Sequence, residues 1–88
     1  MNYIWTPQQS STIKNWTAIC CDSTGTKLAA TASNDYIYTS TDSGLNWTKQ
    51  TSSTVKNWTA ICNDSTGTKL AATASGDYIY TSTNSGVN

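Results

Sequence analysis

The hydrophobic residues of this chain lie in short runs of β-branched, aromatic and small side chains, interrupted every few positions by polar residues. Apolar positions do not recur at the spacings of three and four that an amphipathic helix needs. Turns rich in Asp, Asn, Ser and Gly separate the runs, as is typical of sheet proteins. In the first half of the chain the runs predict four strands, at 16–21, 27–33, 36–41 and 46–51. The pattern therefore predicts an all-β protein.

The same pattern occurs twice. When the chain is shifted by 42 positions, residues 5–46 align with residues 47–88, and seven of the 42 pairs differ, so 35 are identical. Even the polar turns match, which indicates a recent or a deliberate duplication. Asn34 aligns with Gly76, and both residue types tolerate the positive φ of a tight turn. We therefore expect a left-handed residue at this position in both copies.

Each repeat has the size of one blade of a β-propeller, which contains four antiparallel strands. The second predicted strand carries small residues at 29–33, whereas Tyr36, Tyr38 and Trp47 follow on later strands. Since blades converge on a central axis, inner strands favour small side chains and outer strands favour bulk. The alternative is a generic β-sandwich, but a sandwich does not require identical 42-residue units.

A motif lies at the turn between the third and fourth predicted strands. Ser40, Asp42, Gly44 and Trp47 fit the spacing S-x-D-x-G-x-x-W, the Asp-box or bacterial neuraminidase repeat. The sequence resembles Asp-box β-propellers along nearly its whole length. The resemblance implies a folded turn in which the carboxylate accepts backbone N–H groups, the glycine takes a conformation closed to other residues, and the tryptophan packs beneath.

The second copy of the motif is weaker. Ser82, Asn84 and Gly86 occupy the corresponding positions, and Asn84 keeps an acceptor oxygen but loses the charge. The tryptophan that aligns with Trp47 is Trp5, at the other end of the sequence. The strand order is therefore fourth, then first to fourth, then first to third. This is the permuted order with which circular propellers close their rings.

This order predicts assembly. Propellers have about four to eight blades, so we expect three or four chains to associate head to tail into a homo-oligomeric ring of six or eight blades. The alternative is a piece of a longer propeller. The predicted units are 1–14, an outer strand and linker completing a partner blade; 15–56, blade 1; and 57–88, blade 2 without its outer strand. The predicted strand closure joins Tyr3, Ile4, Trp5 and Thr6 of one copy to Tyr78, Ile79, Tyr80 and Thr81 of the next.

Composition narrows the functional classes. Five Lys balance five Asp, and the chain lacks His, Arg, Glu and Phe. A net charge of zero gives no field that attracts nucleic acid or an anionic membrane, so neither is an expected partner. We find no signal-peptide core and no long apolar run, which predicts a soluble protein and leaves its localisation open.

Catalysis is not expected. The resemblance invites a sialidase activity, but that family holds its substrate with an arginine cluster and supports a tyrosine nucleophile with a glutamate, and this chain has neither residue type. The repeated tyrosines are interpreted as packing residues. Without His, and with no dense carboxylate loop, no metal or other cofactor is predicted. Cys20, Cys21 and Cys62 are interpreted as small buried hydrophobes, with no structural disulfide.

Two functional hypotheses remain. In the first, the repeats form a multivalent lectin-like module in which Asn15, Trp16, Asn57 and Trp58 bind glycans. Against it, both tryptophans fit packing positions at the start of the innermost strand. We favour the second hypothesis, a non-enzymatic structural unit that assembles with copies of itself. A multi-blade ancestor trimmed to two blades would have this sequence, and so would an engineered protein.

Overall fold

The computed structural model describes residues 5–88. It contains seven strands and two short 3-10 helices, Gln9–Ser11 and Thr51–Ser53. The strands are β1 (Trp16–Cys21), β2 (Leu28–Ala32), β3 (Ile37–Ser40), β4 (Thr48–Gln50), β5 (Trp58–Asn63), β6 (Leu70–Ala74) and β7 (Ile79–Ser82). All four strands predicted for the first repeat are confirmed, with ends that differ by two residues at most. In the described part of the chain, no helix has the length and apolar character needed to cross a membrane.

The strands form two antiparallel sheets. Sheet 1 has the order β1-β2-β3-β4, and sheet 2 has the order β5-β6-β7. Their registers match one repeat apart: Trp16 pairs with Ala32 in sheet 1, and Trp58 pairs with Ala74 in sheet 2. A bulge follows each tryptophan. The predicted all-β class is confirmed, and the two repeats fold alike.

The two sheets pack face to face around a small core. Ile37 of sheet 1 lies in one cluster with Trp58, Ala72 and Ala74 of sheet 2, and Ile61 packs against this cluster. Trp58 is the largest fully buried side chain, with 1% of its surface exposed. Small residues on β2 and β6 let the backbones approach closely enough for this indole to contact both sheets.

The hairpin turns have the predicted backbone conformation. Asn34 has φ of 56° and Gly76 has φ of 73°, which confirms the expected left-handed residue in both copies. Two threonines, at the ends of the 3-10 helices, also have positive φ: 61° at Thr12 and 62° at Thr54. These two residues are β-branched, so the conformation is strained at both positions.

The cysteines are less buried than predicted. All three are free, and Cys20 is half-buried whereas Cys21 and Cys62 are exposed. The interpretation as buried hydrophobes is therefore wrong for Cys21 and Cys62. The reason is the side of the sheet on which each lies: Cys20 shares the side of sheet 1 that packs on sheet 2, whereas Cys21 and Cys62 lie on sides that no other sheet covers within residues 5–88. Burial raises the pKa of the Cys20 thiol to about 11, with a smaller contribution from the neighbouring Cys62.

Candidate functional site

Exposure differs between residues that occupy the same position in the two repeats. Ile37 is 8% exposed but its counterpart Ile79 is 72% exposed, and Tyr38 is 9% exposed against 37% for Tyr80. Leu45, in contrast, is 65% exposed and its counterpart Val87 is 56% exposed, so this position faces solvent in both repeats. Because the paired residues have the same or similar side chains, the differences identify where one sheet has a neighbour and the other has none.

The two faces of each sheet can be told apart by their contacts. We call the side that carries Trp16 or Trp58 the front face, and the opposite side the back face. Ile37, on the back face of sheet 1, packs against Trp58 and Ala72 on the front face of sheet 2. Among residues 5–88, the front face of sheet 1 and the back face of sheet 2 have no sheet packed on them.

Hydrogen bonds between the two repeats, including two backbone bonds exchanged by Asp35 and Lys56, hold the sheets in alignment. The Thr17 hydroxyl donates to the backbone carbonyl of Trp58 at 2.9 Å. The Ser33 hydroxyl donates to Oδ1 of Asn57 at 2.7 Å, and the amide nitrogen of Ser23 donates to the carbonyl of Ser65 at 2.9 Å. These bonds connect the turns and first strands of the two repeats. They were not predicted. Thr17, Ser33 and Ser23 have identical counterparts in the second repeat, so the sequence does not show which of the two copies forms the bond between the sheets.

A cavity of about 270 Å³ lies beside Trp58. Its apolar lining includes Trp58, Tyr80, Leu70 and Ile37, and Gly86 also lines it. Tyr80 packs edge-on against Trp58, with ring centroids 5.7 Å apart. The cavity is therefore a preformed aromatic site between the sheets.

The equivalent space in sheet 1 is filled by Trp47. The ring centroids of Trp47 and Trp16 are 6.4 Å apart, and a Cβ added to Gly44 would lie 3.7 Å from the Trp47 ring. Tyr38 packs edge-on against Trp16 at 5.5 Å, as Tyr80 does against Trp58. The residue 42 positions before Trp47, which aligns with it in the repeat, is Trp5. Trp5 is 94% exposed in this chain.

The outer edge of sheet 2 is open. In sheet 1, β4 pairs with β3 through Ile37–Gln50, Tyr38–Lys49 and Thr39–Thr48. Within the described chain, no strand pairs with the corresponding edge of β7. Of the residues predicted to close this edge, Trp5 and Thr6 are exposed, and Tyr3 and Ile4 lie outside the described residues. Tyr78, Ile79, Tyr80 and Thr81 are all exposed.

The turn after β3 is held by side-chain hydrogen bonds. The Ser40 hydroxyl donates to Oδ1 of Asp42 at 2.8 Å and accepts from the amide nitrogen of Gly44 at 2.9 Å. Asp42 also accepts from the amide nitrogen and the side-chain amide of Asn46, at 2.9 Å and 2.8 Å. The backbone N–H of Asn46, its side chain and Ser40 together hold the pKa of Asp42 below its usual value.

The second turn repeats most of these bonds. The Ser82 hydroxyl donates to Oδ1 of Asn84 at 3.0 Å, and the amide nitrogen of Gly86 donates to Ser82 at 3.0 Å. The amide nitrogen of Asn88 donates to the same Oδ1 at 2.9 Å. Asn84 has an amide nitrogen where Asp42 has its second oxygen, so it cannot accept the additional bond that Asn46 gives to Asp42. Gly44 and Gly86 have positive φ, 94° and 85°.

Most of the four residues predicted to bind glycans instead take part in packing or in hydrogen bonds between the sheets. Trp58 is buried, and Trp16 is half-buried against Tyr38 and Trp47. Each indole N–H donates to a backbone carbonyl at 3.2 Å, that of Thr12 for Trp16 and that of Thr54 for Trp58. Asn57 accepts the inter-sheet bond from Ser33, and Asn15 is exposed. The arrangement leaves little of Trp58 available to stack on a sugar ring.

No group of three or more potential metal ligands forms within residues 5–88. No protein-family model matches the chain. Searches of curated proteins and of solved structures likewise give no significant match. The site is therefore interpreted from its geometry alone. We define the candidate surface for assembly as the open edge of β7, the cavity beside Trp58 and the two uncovered sheet faces.

Proposed function

We propose that this chain is a non-enzymatic, self-assembling unit made of two Asp-box propeller blades. Copies associate head to tail, and residues 5–8 of one copy complete sheet 2 of the next. The observation that carries the proposal is the cavity beside Trp58, which corresponds to the space that Trp47 fills in sheet 1. Trp5, at the matching position of the repeat, is 94% exposed. The exposed Trp5 of one copy therefore has the side chain that the cavity beside Trp58 of another copy can accept.

The strand register follows from the repeat. If the β3–β4 pairing is transferred by 42 positions, Gln8 pairs with Ile79, Pro7 with Tyr80, and Thr6 with Thr81. Pro7 is the one position of this strand where a backbone N–H is missing. It replaces Lys49, the partner of Tyr38.

The pairing tolerates this proline. The amide nitrogen of Ile37 donates to Ser53 at 3.0 Å, so the backbone of Ile37 is directed toward the outer strand. Because backbone groups alternate in direction along a strand, those of Tyr38 are directed toward β2, and Tyr38–Lys49 is a non-hydrogen-bonded pair. At the matching position, Pro7 therefore loses an N–H that would face away from β7. Proline is compatible with an edge strand in this orientation.

The packing of the sheets supports a propeller arrangement. Contacts between the sheets are concentrated where β1 and β2 of sheet 1 meet β5 of sheet 2. The first strands thus lie together, as inner strands of neighbouring blades do around an axis. The geometry of the turns at Asp42 and Asn84 agrees with the turn that the Asp-box resemblance implies. A head-to-tail contact that repeats the rotation between sheets 1 and 2 closes into a ring when the rotation divides the circle.

Native mass spectrometry of the purified chain tests the proposal. At micromolar concentration we expect one discrete species, a trimer or a tetramer, that persists on moderate dilution. Such a species corresponds to six or eight blades. A monomer under these conditions contradicts self-assembly, and an open-ended ladder of masses contradicts the closed ring.

A further inference from the structure

We propose a second contact between copies, in which the back face of sheet 2 docks on the front face of sheet 1 of another copy. The back face of sheet 2 is defined by Ala71, Thr73 and Ile79, and the front face of sheet 1 by Trp16, Ile19 and Ala30. This inference rests on the proposed self-assembly and identifies the side chains that meet between copies, which the strand pairing alone does not specify. The partner is a second copy of this chain.

The template for the contact is present inside the chain. The back face of sheet 1 places Ile37 against Trp58, Ala72 and Ile61 of sheet 2. One repeat apart, Ile79 takes the place of Ile37, and Trp16, Ala30 and Ile19 take the places of those three partners. All of these replacements are identical residues. A contact that is stable within one chain is therefore available between chains with the same side chains and the same shapes.

Both unmatched faces expose apolar surface. Ile79 is 72% exposed and Ile19 is 63% exposed. The front face of sheet 1 contains an apolar recess of about 440 Å³, lined by residues that include Trp16, Ile19, Ala30 and Trp47. Exposed apolar patches of this kind are typical of interaction sites, and these two have the same residues as the faces that pack together inside the chain.

Polar groups determine the register of the docked faces. Thr17 donates from sheet 1 to the carbonyl of Trp58 at 2.9 Å, and its counterpart Thr59 shares a hydrogen bond with Thr73 of its own sheet at 3.0 Å. Thr17 makes the same bond with Thr31 at 2.8 Å. Thr59 is thus held in the orientation that would let it donate to the Trp16 carbonyl of a second copy.

A further pair gives Asn15 a role. Ser33 donates to Asn57 between the sheets at 2.7 Å. In the docked arrangement, Ser75 donates to Asn15 of the second copy in the same way. The exposed Asn15 is then the counterpart of an asparagine that already works as an inter-sheet acceptor.

The two proposed contacts involve the same pair of copies. Within one chain, β4 completes sheet 1, and the chain then continues through residues 51–57 into sheet 2, whose front face covers the back face of sheet 1. Residues 5–8 of a second copy, after completing sheet 2, continue through residues 9–15 into that copy's own sheet 1. Its front face is thereby carried to the back face of sheet 2.

The substitution Ile79→Lys tests the face contact, with Leu45→Lys as a matched control. Ile79 is largely exposed in the single chain, so a lysine there is compatible with folding, which circular dichroism will verify. Burying an unpaired ammonium at the docked face is costly, so we expect dissociation of the discrete oligomer to become easier by roughly 100-fold or more. Leu45 is 65% exposed, and Leu45→Lys is expected to leave the oligomer unchanged.

The double substitution Ile19→Glu with Ile79→Lys provides a rescue. Ile61 packs against the cluster that contains Ile37, so Ile19 and Ile79 are placed together in the docked faces. Opposite charges at these positions are expected to recover at least about tenfold of the lost affinity at low salt. Absence of any recovery would count against this contact.

The outcomes separate the two proposals. If the unchanged chain forms the discrete oligomer and Ile79→Lys behaves like Leu45→Lys, the face contact is wrong and association through the β7 edge stands. If the unchanged chain is monomeric, both proposals are overturned. A folded but dissociated Ile79→Lys chain, with an intact Leu45→Lys oligomer, supports the face contact.

Discussion

The backbone N–H of Asn46 donates to Oδ1 of Asp42 at 2.9 Å and so closes the turn between β3 and β4. The equivalent bond from Asn88 to Asn84 has the same length but involves no charge. The two turns of one chain therefore differ in the chemistry of a single acceptor, and they respond differently to acid.

All five aspartates have a pKa below the usual value in the folded chain. A lowered pKa adds stability that is fully present above the unfolded-state value of about 3.9 and is lost as the pH falls through the folded-state value. We expect Asp42→Asn to lower the thermal unfolding temperature at pH 7 and to weaken its fall below about pH 4. The control Asn84→Asp should steepen that fall. Identical acid profiles for both variants and the unchanged chain would contradict the role of the Asp42 carboxylate.

Trp58→Ala removes the largest buried side chain of the core between the sheets. Because Trp58 is 1% exposed, we expect a loss of about 3–5 kcal/mol in the free energy of unfolding, as for other large-to-small core substitutions. Leu45→Ala, at an exposed position, should change it by less than about 0.5 kcal/mol. Urea denaturation followed by fluorescence of the remaining tryptophans measures both. A loss below about 1 kcal/mol for Trp58→Ala would show that this residue is not the centre of the core.

Trp5→Ala tests the match between Trp5 and the cavity beside Trp58. Tryptophans that enter a pocket of a partner contribute about 2 kcal/mol or more, so the apparent dissociation constant of the oligomer should rise by roughly 30-fold. Thr6→Ala, at the next position, keeps the strand and its backbone bonds and should alter the constant by only a few fold. Sedimentation velocity over a dilution series gives both values. Equal behaviour of the two variants would argue against the cavity as the binding site of Trp5.

Thr54→Gly removes a strained β-branched residue. Thr54 has φ of 62°, a conformation that costs a non-glycine residue about 1–3 kcal/mol, whereas the added freedom of glycine in the unfolded chain offsets about 1 kcal/mol. We expect a net gain of about 1 kcal/mol in unfolding free energy. Thr12→Gly, at φ of 61°, should give a similar gain, and Thr51→Gly, inside a 3-10 helix, should destabilise. A loss of stability at both Thr12 and Thr54 would contradict strain at these positions.

Cys20 should react slowly with thiol reagents at neutral pH. The thiolate is the reactive form, and burial, together with the neighbouring Cys62, raises the pKa of Cys20 to about 11. Alkylation of Cys20 by iodoacetamide should therefore keep accelerating up to about pH 11 and be slow at pH 8. Peptide mass mapping across a pH series measures the rate at Cys20. A rate at Cys20 that reaches its plateau near pH 9 would contradict the raised pKa.

The sequence predicts much of the local structure because each step depends on neighbouring residues. Runs of β-forming residues between polar turns locate the strands, and the Asn34/Gly76 pair identifies a left-handed turn. The candidate surface could not be predicted in the same way. Ile37 and Ile79 have the same neighbouring residues in the sequence, yet Ile37 is buried and Ile79 is exposed, because exposure depends on whether another sheet packs on that face. The burial of Cys21 and Cys62 was predicted incorrectly for the same reason, because it depends on which parts of the fold pack against them.

Pro7 affects whether a further strand can add to the outer edge of the strand formed by residues 5–8. A strand that offers a full row of outward N–H and C=O groups can recruit another strand, and repeated recruitment leads to fibres. When residues 5–8 lie along β7, the missing N–H of Pro7 interrupts that row on its outer side. Lys49, at the matching position of β4, supplies an exposed charge instead. In the proposed ring, the missing N–H of Pro7 in one repeat and the charge of Lys49 in the other would both discourage the addition of further strands to the outer rim.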